Sequence, residues 1–284
     1  MNIDYIFIAY LFALCIVLNL FFFVIAFIFK SDVFTDITYA LTFLLSTTII
    51  LAWKQQFSII QILIYSLVFL WSIRLGGYLF KRIIKIKHDK RFDNIRNSFI
   101  KFLGFWLLQG TSVFLIVMPA SFALTIPKEY FDDTNYISYA FILIALLGLI
   151  FETIGDEQKN KFYNTKEKKK EFIDTGLWKI SRHPNYFGEM VFWLFLTSAF
   201  LTNFIMKNNS DSKIYLQLLW FLSPVYIICL LLFLSGVPIL ERNAYKKFKD
   251  NDDYQNYVKK TSIVFPFIGK KGYTNKVKKM QKKR

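Results

Sequence analysis

Soft metal ligands are scarce in this chain. Its 284 residues hold two cysteines, Cys15 and Cys229, and two histidines, His88 and His183. Both cysteines fall inside apolar runs, which argues against a disulfide framework or a thiolate metal site. Two histidines are too few for a histidine-rich metal cluster. His88 lies among Lys85, Lys87, Lys90 and Arg91, the setting of a solvated or headgroup-facing residue. No G-x-G-x-x-G follows a strand, which excludes a Rossmann cofactor fold, and neither a P-loop nor H-E-x-x-H occurs. Tandem repeats and a soluble domain boundary are also missing.

Charge is lacking over long stretches. Residues 5–29 contain none, and residues 214–240 contain none. Residues 34–53 contain only Asp36, and residues 57–80 are apolar except for Gln61 and Arg74. Residues 98–126 have Lys101 and Gln109 as their strongly polar members. Residues 136–154 carry Glu152 at the far end, and residues 185–206 carry Glu189 at the start. A helix needs about 20 mostly apolar residues to cross a bilayer. Uninterrupted apolar runs predict helices, because barrel strands alternate. The sequence therefore predicts an all-α integral membrane protein with seven spans. A soluble bundle would need polar helix faces that these runs do not have. The first run lacks the basic start and small-residue cleavage pattern of a signal peptide, so it is read as a retained span.

What is present is positive charge, a formal +16. Lys and Arg collect on the cytoplasmic side of membrane proteins. With the N-terminus outside, the inside segments are residues 30–33, 81–97, 155–184 and the tail from Glu241. The opposite loops, 54–56, 127–135 and 207–213, hold only Lys54, Lys128, Lys207 and Lys213. The C-terminus is then cytosolic. The basic residues after Lys270 suit anionic lipid headgroups, and no nucleic-acid partner is expected. The membrane is the endoplasmic reticulum in a eukaryote or the inner membrane in a bacterium.

Polar residues concentrate where the third inside loop enters the sixth span, in Thr175-Gly-Leu-Trp-Lys-Ile-Ser-Arg-His-Pro-Asn-Tyr-Phe-Gly-Glu189. Pro184 suits a first helical turn, where its missing N–H costs nothing. Arg182, His183, Asn185, Tyr186 and Glu189 then gather at a helix N-terminus, which favours phosphate or another anion. Asn185 and Glu189 share one helix face. Anchoring of Trp178, Arg182 and Tyr186 at the interface explains those residues singly but not their density. Glu152 and Asp156 stand one turn apart just upstream, followed by Gln158, Lys159 and Lys161. That series suits an amide, ribose or phosphate ligand, or equally a solvated helix end. Glu241 and Arg242, followed by Tyr245, Phe248, Tyr254, Tyr257 and Pro266, form either a lid or an amphipathic interfacial helix. Arg74 lies inside the third span, where it either snorkels or faces a polar cavity.

These residues, with Trp71-Ser-Ile-Arg-Leu-Gly-Gly-Tyr78 and Ser235-Gly-Val-Pro-Ile-Leu-Glu-Arg242, resemble the steroid 5-alpha-reductase superfamily, most of all its DUF1295 branch. Gly176-Leu-Trp and the 181–189 motif are the most specific part. The resemblance divides one transmembrane domain into N-terminal spans (1–56), a reductase-like region (57–267) and a basic cytosolic tail (268–284). It implies NADPH held on the cytosolic side and hydride transfer to a carbon–carbon double bond conjugated to a ketone in a lipid-soluble substrate. By motif position it implies that Asn185 and Glu189 contact the nicotinamide end and Asp156 the adenosine portion, with Glu152 in the place of a family asparagine. Trp178, Arg182 and Trp193 would line the channel, with Lys159 and His183 beside them. Glu241 and Arg242 match the closing tail, and Arg74 and Arg82 match basic positions near cofactor or substrate. A donor must stabilise or protonate the carbonyl oxygen. Tyr186, Arg74 and Tyr78 are the candidates. Three departures point away from a steroid: the second span ends in Trp53-Lys-Gln-Gln56 without Glu, Trp71 replaces a tyrosine, and Tyr163 replaces a basic residue.

Two rival readings follow from the same residues. Isoprenylcysteine carboxyl methyltransferases also carry Arg-His-Pro-x-Tyr-x-Gly and a Glu-bearing tail, there around S-adenosylmethionine. Glu241-Arg242 stands where that group has Glu-Glu. A non-catalytic membrane protein is the other. Transporters tend to show inverted repeats and mid-membrane breaks. Here the polar cluster lies at one interface.

Overall fold

A computed structural model describes residues 5–53, 56–86, 92–165, 171–207 and 218–268. Lys54, His88, Lys213, residues 214–217 of the expected seventh span and the basic tail beyond Ile268 lie outside them. The helices are α1 (Tyr5–Ile28), α2 (Val33–Trp53), α3 (Ile59–Ile86), α4 (Phe99–Thr125), α5 (Tyr136–Asn164) and α6 (Pro184–Lys207). A last composite stretch holds a 3-10 turn at Leu218–Phe221, α7 (Leu222–Cys229), a π-helical turn at Leu230–Leu234 and α8 (Val237–Phe248), and α9 (Asp252–Lys260) follows. Seven helical stretches are long and apolar enough to cross a membrane. No strand occurs among the described residues, so the chain is an all-α, multi-pass membrane protein.

Two helices run further than their apolar runs. α3 continues six residues past Phe80, and α5 continues ten past Ile154. The added stretch of α5 is rich in Glu, Gln and Lys, all good helix formers that need no lipid. The seventh span departs from a uniform helix. After the π-helical turn, Gly236 adopts φ −94° and ψ −103°, and Pro238 lies in the first turn of α8. A side chain on Gly236 would meet the Leu231 carbonyl at 2.4 Å, so only glycine fits that turn.

The chain forms two compact units: residues 1–142 with 195–224, and residues 143–194 with 225–284. In the first, α1 packs on α2 and α4, and α2 packs on α3 and α4. Buried amides tie these helices. Gln109 donates to Asn19 Oδ1 and to the Thr35 carbonyl, both at 3.0 Å. Asn19 donates to the Cys15 carbonyl at 2.8 Å and to Thr42 Oγ1 at 3.3 Å. Gln61 donates to the carbonyls of Ala123 and Ile126 and accepts from the Ser58 amide. Charged pairs of this unit stand near helix ends, Arg96–Asp32 at 3.1 Å and Arg82–Asp36 at 3.7 Å.

Candidate functional site

The second unit gathers most of the polar residues singled out in the sequence. On α5, Gly148, Glu152 and Gly155 repeat at helical spacing and share one face. A methyl on Gly148 would lie 2.8 Å from the Phe192 amide nitrogen, and one on Gly155 would lie 3.1 Å from that of Asn185. A methyl on Gly188 would meet the Glu152 backbone nitrogen at 2.5 Å. Small residues at these points let the backbones of α5 and α6 approach closely. Glu152 and Asp156 are therefore buried against the start of α6. Asn185 donates from Nδ2 to Asp156 Oδ1 at 3.1 Å. Glu189 lies half-buried one turn further on, and Trp193 is fully buried.

Trp178 anchors the segment that leads into α6. Its indole N–H donates to the Gly155 carbonyl at 3.0 Å, and Lys159 Nζ stands 5.3 Å from its ring centre. The turn before it needs a left-handed residue, which Gly176 supplies at φ 59° directly over Gln158. Gln158 Oε1 accepts from the Leu177 amide at 2.9 Å. The expected Pro184 start of α6 is observed.

Arg182, His183 and Glu241 form a buried charged cluster. Arg182 Nη1 lies 3.1 Å from Glu241 Oε2, and His183 Nε2 lies 2.9 Å from Glu241 Oε1. Arg182 is always protonated, so Glu241 carries the balancing negative charge. The His183 imidazole then donates through Nε2–H and leaves Nδ1 as the lone-pair nitrogen. Burial holds His183 below its ordinary value of 6.5; the hydrogen bond and charge of Glu241 oppose this, while Lys159 and Arg182 add to it. The imidazole is stacked on Tyr186 at 5.6 Å and 14°. Tyr186 in turn borders Gly236, where an added methyl would lie 2.9 Å from its ring. The glycine after the π-helical turn thus makes room for Tyr186 while α8 brings Glu241 to Arg182. Arg182 is only 6% exposed, and its Nε–H has no acceptor among the described residues.

The tail does fold back, but onto backbone. The Tyr257 hydroxyl donates to the Trp178 carbonyl at 2.7 Å, and Arg182 N–H donates to the Ser262 carbonyl at 2.9 Å. Burial raises the Tyr257 phenol, so it remains a donor, and pushes Tyr254 up to about 12. Phe172, Phe248, Tyr254 and Val258 form the core beneath.

The cluster thus brings together Glu152, Asp156, Lys159, Trp178, Arg182, His183, Asn185, Tyr186 and Glu241. Arg242, the next residue on that helix, is exposed where Glu241 is buried. Arg74 and Tyr78 are half-buried on α3 in the first unit. Sequence reasoning missed the Gly148–Gly188 approach and the Ser181 and Ser262 contacts. The glycine spacing on α5 was the available signal for the first; nothing local announces the second.

A family model described as a protein of unknown function, DUF1295, matches residues 22–261. The chain belongs to that family. No curated protein and no solved structure matches it.

Proposed function

We propose, taking this membership as premise, that the protein is an NADPH-dependent reductase of a carbon–carbon double bond conjugated to a carbonyl in a lipid-soluble substrate. One observation carries the reading: Arg182 is buried with an Nε–H that has no acceptor among the described residues, three positions along the chain from Asn185, which bonds Asp156. A buried donor left unpaired costs about 1–3 kcal/mol, more when charged. An anionic oxygen of the cofactor would satisfy it. Asp156 and Glu152 fit the hydroxyl groups of a ribose, and Asn185 and Glu189 fit a carboxamide. Lys159, Trp178, His183 and Trp193 would complete the binding surface. Glu241 orients Arg182 and His183 without needing to touch the ligand.

Bound NADPH would supply hydride to the β-carbon of the conjugated system. The chain's own task is to hold the reacting groups away from water and to meet the charge on the carbonyl oxygen. Tyr186 is the donor we favour, because its ring is fixed between His183 and Gly236. We place this site on the cytosolic side, supported by the bias of Lys and Arg. Labelling a cysteine put at Lys246 from the cytosolic face, and one put at Asp132 from the other, tests that placement.

A second reading has its own support. Glu152 and Asp156 are buried carboxylates, which also suit the sulfonium of S-adenosylmethionine. Thermal unfolding of the purified full chain separates the two. A saturating ligand at 100 times its Kd stabilises by about 2.7 kcal/mol. The reductase reading expects that gain from NADPH and its loss in Asn185→Ala and Glu189→Ala. Stabilisation by S-adenosylmethionine alone moves the assignment to methyltransferase. Protection by neither favours a non-catalytic protein.

A further inference from the structure

His183 is fixed from three directions. Its backbone N–H donates to Ser181 Oγ at 3.2 Å, and Ser181 Oγ donates onward to the Val264 carbonyl at 2.7 Å. Its ring stacks on Tyr186, and its Nε2–H is engaged by Glu241. Nδ1, on the opposite edge of the ring, takes part in no hydrogen bond among the described residues. Burial keeps the imidazole uncharged at neutral pH, so this nitrogen accepts and does not donate. Arg182 has the reverse shortage. It gives Nη1 to the other oxygen of the same carboxylate and keeps its Nε–H without an acceptor among the described residues. Glu241 thus holds side by side a donor that lacks an acceptor and an acceptor that lacks a donor, both buried. The two do not satisfy each other.

A ligand that brings only an anionic oxygen satisfies Arg182 and leaves His183 as it was. A ligand that also carries a hydrogen-bond donor close to that oxygen satisfies both. We propose that Arg182 and His183 act as a pair that recognises an anionic oxygen and a neighbouring donor on one ligand, and that His183 Nδ1 sets specificity by requiring the donor. This pairing rests on the cofactor reading above and narrows it. NADPH offers that chemistry in its phosphorylated ribose, where the 2′-phosphate stands beside the 3′-hydroxyl. NADH has a hydroxyl in place of that phosphate. S-adenosylmethionine offers the same chemistry as a carboxylate beside its α-ammonium. A site built to hydrogen-bond such a group rejects an analogue without it, because the site's own buried polar atom is left unpaired.

Dissociation constants of the purified full chain in detergent test it, first with the unaltered protein. NADPH binds roughly ten- to a hundredfold more tightly than its 3′-deoxy analogue, and NADH is weaker than NADPH by at least as much. Two variants then identify the reader of the hydroxyl. His183→Gln keeps a donor for Glu241 but has no acceptor where Nδ1 stands, and it brings the ratio of NADPH to 3′-deoxy analogue down to about one. His183→Asn keeps an acceptor there and retains the discrimination. Equal binding of NADPH and its 3′-deoxy analogue overturns the proposal while the reductase reading stands. Discrimination that survives in His183→Gln overturns it as well, because another group then reads the hydroxyl. If S-adenosylmethionine binds and NADPH does not, the reductase reading falls and the comparison passes to the analogue without the α-ammonium. A loss of the same size, cancelled by His183→Gln, then supports the pairing, and equal binding overturns it. Binding of neither cofactor overturns both.

Discussion

Asn19, Gln61 and Gln109 in the first unit are buried amides, and both amide protons of each have an acceptor. Glu152, Asp156, Arg182 and Glu241 in the second unit are just as buried, but they are ionisable, and Arg182 keeps an N–H without a partner among the described residues. Neutral, satisfied amides between spans act as glue, and each contributes modestly. Ionisable groups at such depth are expensive and point to function. Polarity inside a membrane protein therefore does not by itself mark a site; charge with hydrogen-bonding capacity left over is what supports the proposed one.

The largest effect that would sharpen this contrast comes from Glu241→Ala. It leaves Arg182 buried without its counter-ion, which costs about 3–5 kcal/mol. The double variant Arg182→Met with Glu241→Leu recovers most of that stability yet abolishes the NADPH-dependent gain. Denaturation midpoints of the three proteins in one detergent provide the measurement. A Glu241→Ala shift no larger than that of an amide variant in the first unit would erase the distinction between the units.

Gly188→Ala comes next. Its methyl would meet the Glu152 nitrogen at 2.5 Å and the Gly148 carbonyl at 2.6 Å, both backbone atoms that can move only if α5 and α6 part. We expect a loss of about 1–3 kcal/mol, together with loss of ligand-induced stabilisation as Asn185 leaves Asp156. Gly104 is the control, since nothing lies within 4 Å of a methyl there. Gly104→Ala should be neutral or slightly stabilising, and both thermal scans report it. In the first unit, Gln109→Leu should lower stability by about 1 kcal/mol. Because its network is structural, ligand-induced stabilisation should persist; a loss there would break the comparison.

The spans were legible because lipid demands long runs without charge, and that demand is local. The start of α6 at Pro184 was legible for a similar reason, since proline is tolerated in a first turn. The density of Arg182, His183, Asn185 and Glu189 marked a segment whose Asn185 the structure pairs with Asp156 and whose Arg182 and His183 it pairs with Glu241. What pairs with what was not legible. Glu241 reaches His183 across 58 residues, and its place depends on a π-helical turn and on Gly236. The extension of α5 beyond its apolar run was legible as a helix end from Glu152 and Asp156 one turn apart, but its length, to Asn164, was not. Lid and interfacial helix were both open for the tail; its bonds to residues 178–182 all end on backbone carbonyls, which leave no residue-type signature for the acceptor.

The smallest expected effect is a pH slope, and it separates the units most cleanly. His183 is held below its ordinary value of 6.5, chiefly by burial. At neutral pH it is uncharged in both folded and unfolded chains. As pH falls through 6.5, the unfolded chain takes up the proton and the folded chain does not, so folding loses stability. The loss continues until pH reaches the depressed folded value and then levels off. Between neutral pH and 6.5 it amounts to roughly a few tenths of a kcal/mol. His183→Gln should flatten that part of the profile. Gln109→Leu should displace the whole profile by the same amount at every pH, since the amide network of the first unit has nothing to titrate. Stability that rises on acidification would mean that His183 takes the proton and claims the charge of Glu241. Arg182 would then be the group short of a counter-ion, and the proposed anionic cofactor would gain more by binding there.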